Sequence, residues 1–145
     1  MNIEIKNRAG VIILAGDYES VKQACEQNKL NLAGAYLENA NLQYASLRGA
    51  ELKNASLRGA ELKNAKGVVQ FGPCPGSGRI GLAVLHSDCV MVQLGCFWGT
   101  AEKAIEAVAA QYADRTAERD DYTGLIKAAV AALNLQRVVK GGRES

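Results

Sequence analysis

An excess of charge of either sign is nearly absent from this sequence. Its 17 basic and 15 acidic residues leave a formal net charge of +2, too little by itself to mark a nucleic-acid binder. Long apolar runs are absent too. No stretch approaches the ~18 residues that a membrane span needs, so no membrane association is expected. The opening MNIEIKNRAG lacks the basic-then-apolar order of a secretory leader. A cytoplasmic location is therefore expected, with Cys25, Cys74, Cys89 and Cys96 as reduced thiols.

Close cysteine pairs are missing as well, although structural zinc sites usually carry Cys-x-x-Cys. Cys74, His86, Cys89 and Cys96 remain weak candidate ligands, and idle or buried thiols are the favoured reading. Histidine occurs once. His86 could in principle activate Cys89 or Cys96, but no orienting third group or local motif accompanies the pair. The glycine-rich GPCPGSG at 72–78 has neither G-x-G-x-x-G order nor a Lys-Ser/Thr ending, so it reads as a breaker and not a phosphate loop. Nothing points to catalysis or to a cofactor.

The sequence has instead a strict internal period. SLRGAELKNA is written twice over 46–65. Leucine occupies 32, 37, 42, 47, 52, 57 and 62, and alanine stands two residues before nearly every one, with Leu30 in the first such slot. A step of five rotates an α-helix by about 500°, so the leucines would wind around it without forming a stripe. A plain strand needs period two. Ala and Leu meet that within a unit, but the alternation slips once per unit. Short extended pieces with a corner every five residues satisfy both facts. Gly34, Asn39, Gly49, Asn54, Gly59 and Asn64 are suited to the corners.

This A-x-L-x-x tandem over 30–66 resembles the pentapeptide repeat family. The resemblance implies a right-handed, four-sided β-helix of about twenty residues per coil, with Ala and Leu inward. Seven units would make fewer than two coils. So short a solenoid needs its ends covered, and the flanking elements, or a partner protomer in a homodimer, are expected to cover them.

Those flanks read as follows. Residues 1–29 form a hairpin (IEIKN, RAG, VIILAG) and a capping helix over Tyr18–Asn28, with Asp17 or Ser20 as its cap and Tyr18, Val21, Ala24 and Cys25 inward. Residues 67–78 read as a linker. Residues 79–145 read as a β-β-α-α unit. Ile80, Leu82, Val84 and His86 share one strand face, and Val90, Val92 and Leu94 share a face of the next. Helices follow over about 101–114 (Ile105, Val108, Ala109 and Tyr112 inward) and about 117–139 (Tyr122, Leu125, Ile126, Ala129, Val130 and Leu133 inward). The fold class expected overall is mainly β with α.

The charge excess lies in 30–66, with five basic and three acidic residues. With twenty residues per coil, Arg48, Lys53, Arg58 and Lys63 leave four different sides, a girdle and not a stripe. Expected rungs are Glu38 with Arg58, Gln43 with Lys63, Tyr36 with Ser56 and Tyr44 with Asn64. The favoured reading of these charges is a solvated surface. Outward Tyr36 and Tyr44, and the GCFWGT joint with Phe97 and Trp98, are candidate partner anchors, although packing into the core is the default for the last two.

The whole arrangement resembles small pentapeptide repeat proteins of phage and prophage genomes. That resemblance implies no agreed activity. With no catalytic motif present, the expectation is a non-enzymatic interaction protein that binds and modulates a host protein, and by family analogy this would fit inhibition of a nucleic-acid enzyme or of a defence system such as CRISPR. The competing expectation is a nucleic-acid module using the girdle and the tail residues Arg137, Lys140 and Arg143.

Overall fold

A computed structural model describes all residues except 75–77, 88, 96 and 145, with residues 137–144 described as helical backbone only. The chain divides into two compact units, Met1–Gly67 and Val68–Ser145.

The first unit opens with strands β1 (Asn2–Lys6) and β2 (Ile12–Asp17), paired antiparallel with an irregularity between Ile5 and Lys6. Asn7 closes their turn: its Oδ1 accepts from Ala9 N–H at 2.9 Å and Val11 N–H at 3.0 Å, the local side-chain bonding that suits Asn to turns. Helix α1 is shorter than the periodicity suggests, Val21–Gln27. It begins where Ser20 Oγ accepts from Gln23 N–H at 3.1 Å while Gln23 Oε1 accepts from Glu19 N–H at 2.8 Å, close to a reciprocal capping arrangement. Ala24 and Cys25 are fully buried; Tyr18 and Val21 are half-buried.

A 3-10 turn, Lys29–Asn31, leads into the repeat. It corrects the expectation for Leu30, which is 73% exposed instead of filling an inward slot. The turn ends the helical segment before the extended Ala/Leu geometry starts at Leu32, so Leu30 is not held in the alternation.

From Leu32 onward the period of five is realised as stacked extended segments. Leu32, Leu37, Leu42, Leu47, Leu52 and Leu57 are buried, and Leu62 in the last unit is half-buried. Each corner is closed by a bond from an alanine N–H to the leucine carbonyl three residues earlier, from Ala35 to Leu32 O at 3.1 Å through Ala65 to Leu62 O at 3.0 Å. The residue just before that alanine has φ between +60° and +81° in every unit. A turn with a left-handed third residue calls for Gly or Asn there.

Residues twenty apart are joined in parallel: Tyr36 with Ser56, Asn41 with Glu61, and Ser46 with Lys66. Leu37 N–H donates to Ser56 O at 2.8 Å and Ser56 N–H to Ala35 O at 2.9 Å; the same alternation recurs on the next two sides. Before these, Gly34 N–H donates to Lys53 O at 2.7 Å. This is a β-helix-like region in which each coil extends the hydrogen-bond ladder of the one before.

The first coil has no predecessor, and the N-terminal elements supply acceptors in its place. Lys6 O, at the end of β1, takes Tyr36 N–H at 2.7 Å. The Glu26 carboxylate of α1 takes Ser46 N–H at 2.8 Å. Lys29 O takes Glu51 N–H at 2.9 Å. Donors that would otherwise be orphaned at a solenoid edge are satisfied by three separate pieces of chain.

The second unit departs from the expected β-β-α-α order. Four strands, β3 (Val68–Phe71), β4 (Gly81–Leu85), β5 (Val90–Leu94) and β6 (Phe97–Thr100), form an antiparallel sheet in the order β3-β4-β5-β6. Residues 68–71 are therefore a strand and not part of a linker. The sequence VVQF is short, but it pairs fully with β4 from Val68–Val84 to Phe71–Gly81. The GCFWGT joint likewise holds a strand, paired with β5 from Leu94–Phe97 to Met91–Thr100.

Helices α2 (Ala101–Gln111) and α3 (Thr116–Glu144) pack on the sheet around Phe71, Leu85, Val92, Val108, Tyr122 and Ile126. Thr100 caps α2 as expected, its Oγ1 accepting from Lys103 N–H at 3.3 Å. Ala104 is inward on α2, whereas Ala109 is exposed, one position beyond the buried stripe. All five residues of β4 are buried. It is a central strand covered on both faces, although period two suggested a single apolar face. Ile80, just before it, is 41% exposed.

Gly67 ends the repeat where backbones approach closely. Its φ is +79°, and a Cβ there would lie 2.6 Å from both Arg48 Cα and Arg48 N. Gly67→Ala therefore meets rigid backbone as well as left-handed strain. A loss of about 2–4 kcal/mol is expected in urea unfolding; a change under about 0.5 kcal/mol would contradict the close approach.

Candidate interaction surface

Seven corners punctuate the repeat, at 34, 39, 44, 49, 54, 59 and 64. Six are Gly or Asn. The seventh is Tyr44, held at φ 63° with its side chain 63% exposed. A bulky residue in the left-handed region costs of order 1–2 kcal/mol, and the exposed ring recovers little of that by burial. Its N–H donates to Lys63 O at 3.1 Å, so the ladder fixes the corner regardless of side chain. Tyr36, 47% exposed, stands over Ser56 as expected.

The basic residues leave different sides, as the period implies. The register puts Lys53, Arg58 and Lys63 beside Gly34, the Tyr36–Ser56 bridge and the Asn41–Glu61 bridge respectively, and Arg48 beside the Ser46–Lys66 bridge. Lys53, Arg58 and Lys63 are exposed; Arg48 is half-buried. On two expected rungs the side chains take other partners. The Glu38 side chain does not pair with Arg58: its carboxylate accepts from Ser56 Oγ at 2.8 Å, on the adjacent rung of Tyr36 and Ser56. Gln43 stacks in register with Lys63, but its side chain turns to Glu61, with Nε2 donating to Glu61 Oε2 at 2.5 Å.

One local concentration follows from the register. The corner of Tyr44 lies between the side of Lys63 and the side bearing Arg48 and Lys66. Lys66 was not singled out in the sequence. The signal for this corner was available in the spacing: the Gly/Asn series with period five skips one place, at 44.

The aromatic pair of the second unit divides. Phe97 packs against the core under the helices. Trp98, its neighbour on β6, takes the opposite face, where its indole meets the His86 ring edge-on with centroids 6.2 Å apart. They are not one patch. Within the core, Tyr112 and Tyr122 stack with centroids 4.9 Å apart and hydroxyls 3.2 Å apart. That hydrogen bond raises the Tyr112 pKa, with burial second.

The cysteines are separated. Burial pushes the Cys25 thiol up to about 12, with Glu26 adding to it. Burial also raises Cys74, against a smaller opposing effect of Arg79. Both are poor nucleophiles. Cys89 is half-buried at the β4–β5 turn. Cys96, and the side chains of Arg137, Lys140 and Arg143, lie outside the described residues. Among the described residues, no three of His, Cys, Asp and Glu gather as a metal site. None of the described helices is long and apolar enough to cross a membrane.

The ladder between residues twenty apart, with inward Ala and Leu, defines a repeat solenoid segment. Residues 31–66 match the family model for pentapeptide repeats in eight copies. The chain thus carries a pentapeptide-repeat segment over roughly a quarter of its length. No curated protein and no solved structure matches the chain.

Because Tyr44 holds a left-handed backbone, Tyr44→Asn should raise stability by about 0.5–1 kcal/mol in urea unfolding, since Asn tolerates that conformation. A loss of stability of similar size would show that the ring contributes to folding.

Proposed function

We propose that the chain is a non-enzymatic interaction protein. Its repeat is a short right-handed, four-sided β-helix that presents Tyr44 and Tyr36 to a protein partner. The observation that carries this reading is the corner at Tyr44. A large aromatic residue sits exposed in a backbone conformation that six equivalent corners assign to Gly or Asn. Folding alone does not call for it. Exposed tyrosines on a rigid frame are effective binding anchors, since two torsions order a large contact area. Pentapeptide repeats as a class act as structural or interaction modules, which supports the non-catalytic reading. The proposed partner is a host protein, such as a nucleic-acid enzyme or a CRISPR defence complex. That choice rests on the resemblance to small phage pentapeptide proteins.

A second reading is favoured by one feature of the same corner. Arg48, Lys63 and Lys66 belong to the two sides that meet at the Tyr44 corner, and an aromatic ring near basic residues is an arrangement that can stack bases and track phosphates.

Tyr44→Asn keeps the fold and separates these readings. Affinity capture from host lysate should retain one protein stoichiometrically with the parent chain and lose it about 30-fold or more with Tyr44→Asn. DNA and RNA oligonucleotides should show no binding at physiological salt. Oligonucleotide binding that weakens steeply with salt, with no Tyr44-dependent protein captured, would favour the second reading.

A further inference from the structure

The β4–β5 hairpin collects donors that neither the repeat nor its partner surface uses. His86 and Cys89 stand opposite each other at its end, where the backbone N–H of His86 donates to Cys89 O at 2.9 Å. Residues directly opposite in a hairpin project to one face, and so does the residue two beyond. His86, Cys89 and Met91 therefore share a face. On it, Cys89 Sγ lies 3.8 Å from Met91 Sδ. On the same face the His86 and Trp98 rings meet in a T-shaped contact, with centroids 6.2 Å apart. All four side chains are half-buried, neither sealed in the core nor fully solvated.

The sulfur separation is informative. Two sulfurs each about 2.3 Å from a common ion, and 3.8 Å apart, subtend roughly 110° at it. That angle suits three- or four-coordinate geometry without moving either sulfur. The donor set then selects the ion. A thioether is a soft, neutral ligand, which Zn²⁺ sites rarely use and monovalent copper accepts. Imidazole suits copper equally.

We propose that Cys89, Met91 and His86 form a Cu(I) site. Cys89 Sγ and Met91 Sδ are the paired ligands, and a neutral ring nitrogen of His86 is the third. Binding replaces the S–H bond of Cys89 with an S–Cu bond, and the thiol proton passes to water; no electron is transferred. Cys25 and Cys74 do not compete on these grounds. Both are buried, and burial opposes formation of the thiolate at each. Trp98, the single tryptophan of the chain, lies against His86 and serves as a built-in reporter.

The test is a titration of the full chain, purified with a non-thiol reductant, using Cu(I) buffered by the chromogenic chelator bicinchoninate. One equivalent should be withheld from the chelator, with Trp98 fluorescence quenched in step. Met91→Leu, a volume-conserving change, should weaken retention tenfold or more at an unchanged urea midpoint. Cys89→Ser should abolish both retention and quenching, and Zn²⁺ should not displace the copper. The proposal is overturned if the chelator keeps all the copper. It is overturned equally if Met91→Leu and Cys89→Ser, both folded, retain copper like the parent chain, since other thiols would then hold it.

Discussion

The parallel hydrogen-bond ladder between residues twenty apart is the constraint on which the first unit depends. A backbone turned through a corner every five residues gains no internal helix bonds and no hairpin bonds. Its polar groups must be met by the next coil, as Ser56 meets Ala35 and Leu37. That requirement fixes what each position can hold. Inward residues must be small or leucine-sized, because the stacked segments leave room for no more. Corner residues must accept a left-handed backbone. The outward residues are free, and the variation is found there: Tyr36 and Glu38 in one coil, Ser56 and Arg58 in the next.

A ladder has ends, and a stack of under two coils is mostly ends. At the N-terminal edge the exposed donors are met one by one, by the end of a strand, the carboxylate of a short helix and the carbonyl of a 3-10 turn. Helix α1 is only seven residues long, too short to be stable alone. Burial of Ala24 and Cys25, with the reach of Glu26 to Ser46, ties its formation to that of the coil. The hairpin is in the same position, since two strands without further support are marginal. Cap and coil therefore depend on each other.

The repeat was legible in the sequence because every one of its rules is local. The period of five gave the inward Ala and Leu, six of the seven corners and the twenty-residue register. The features that escaped are non-local. Nothing near Glu26 announces that it will accept from Ser46. VVQF is too short to stand out as a strand until β4 lies beside it, and Phe97–Thr100 likewise gains strand character from β5. The expected ion pair between Glu38 and Arg58 assumed that charges on one rung meet, whereas a hydroxyl at the right distance took the carboxylate. Tyr44 is the instructive case. Its outward position follows from the period, but its place in the corner series is masked because Tyr is not a corner residue. That mismatch between local rule and observed residue is what makes it the leading interaction candidate. Phe97 and Trp98 were paired by adjacency in sequence, and the alternation of a strand puts them on opposite faces.

The first unit holds together only through the ladder. Amide hydrogen exchange followed by NMR reads it directly, residue by residue. The amides of Leu37, Leu42, Leu47, Ser56, Glu61 and Lys66 should exchange slowly and with similar opening energies, as one cooperative unit. Those of Tyr36 and Ser46 should be protected with them through Lys6 and Glu26. Rapid exchange across this set, or protection continuous along residues 32–66 as in a helix, would contradict it.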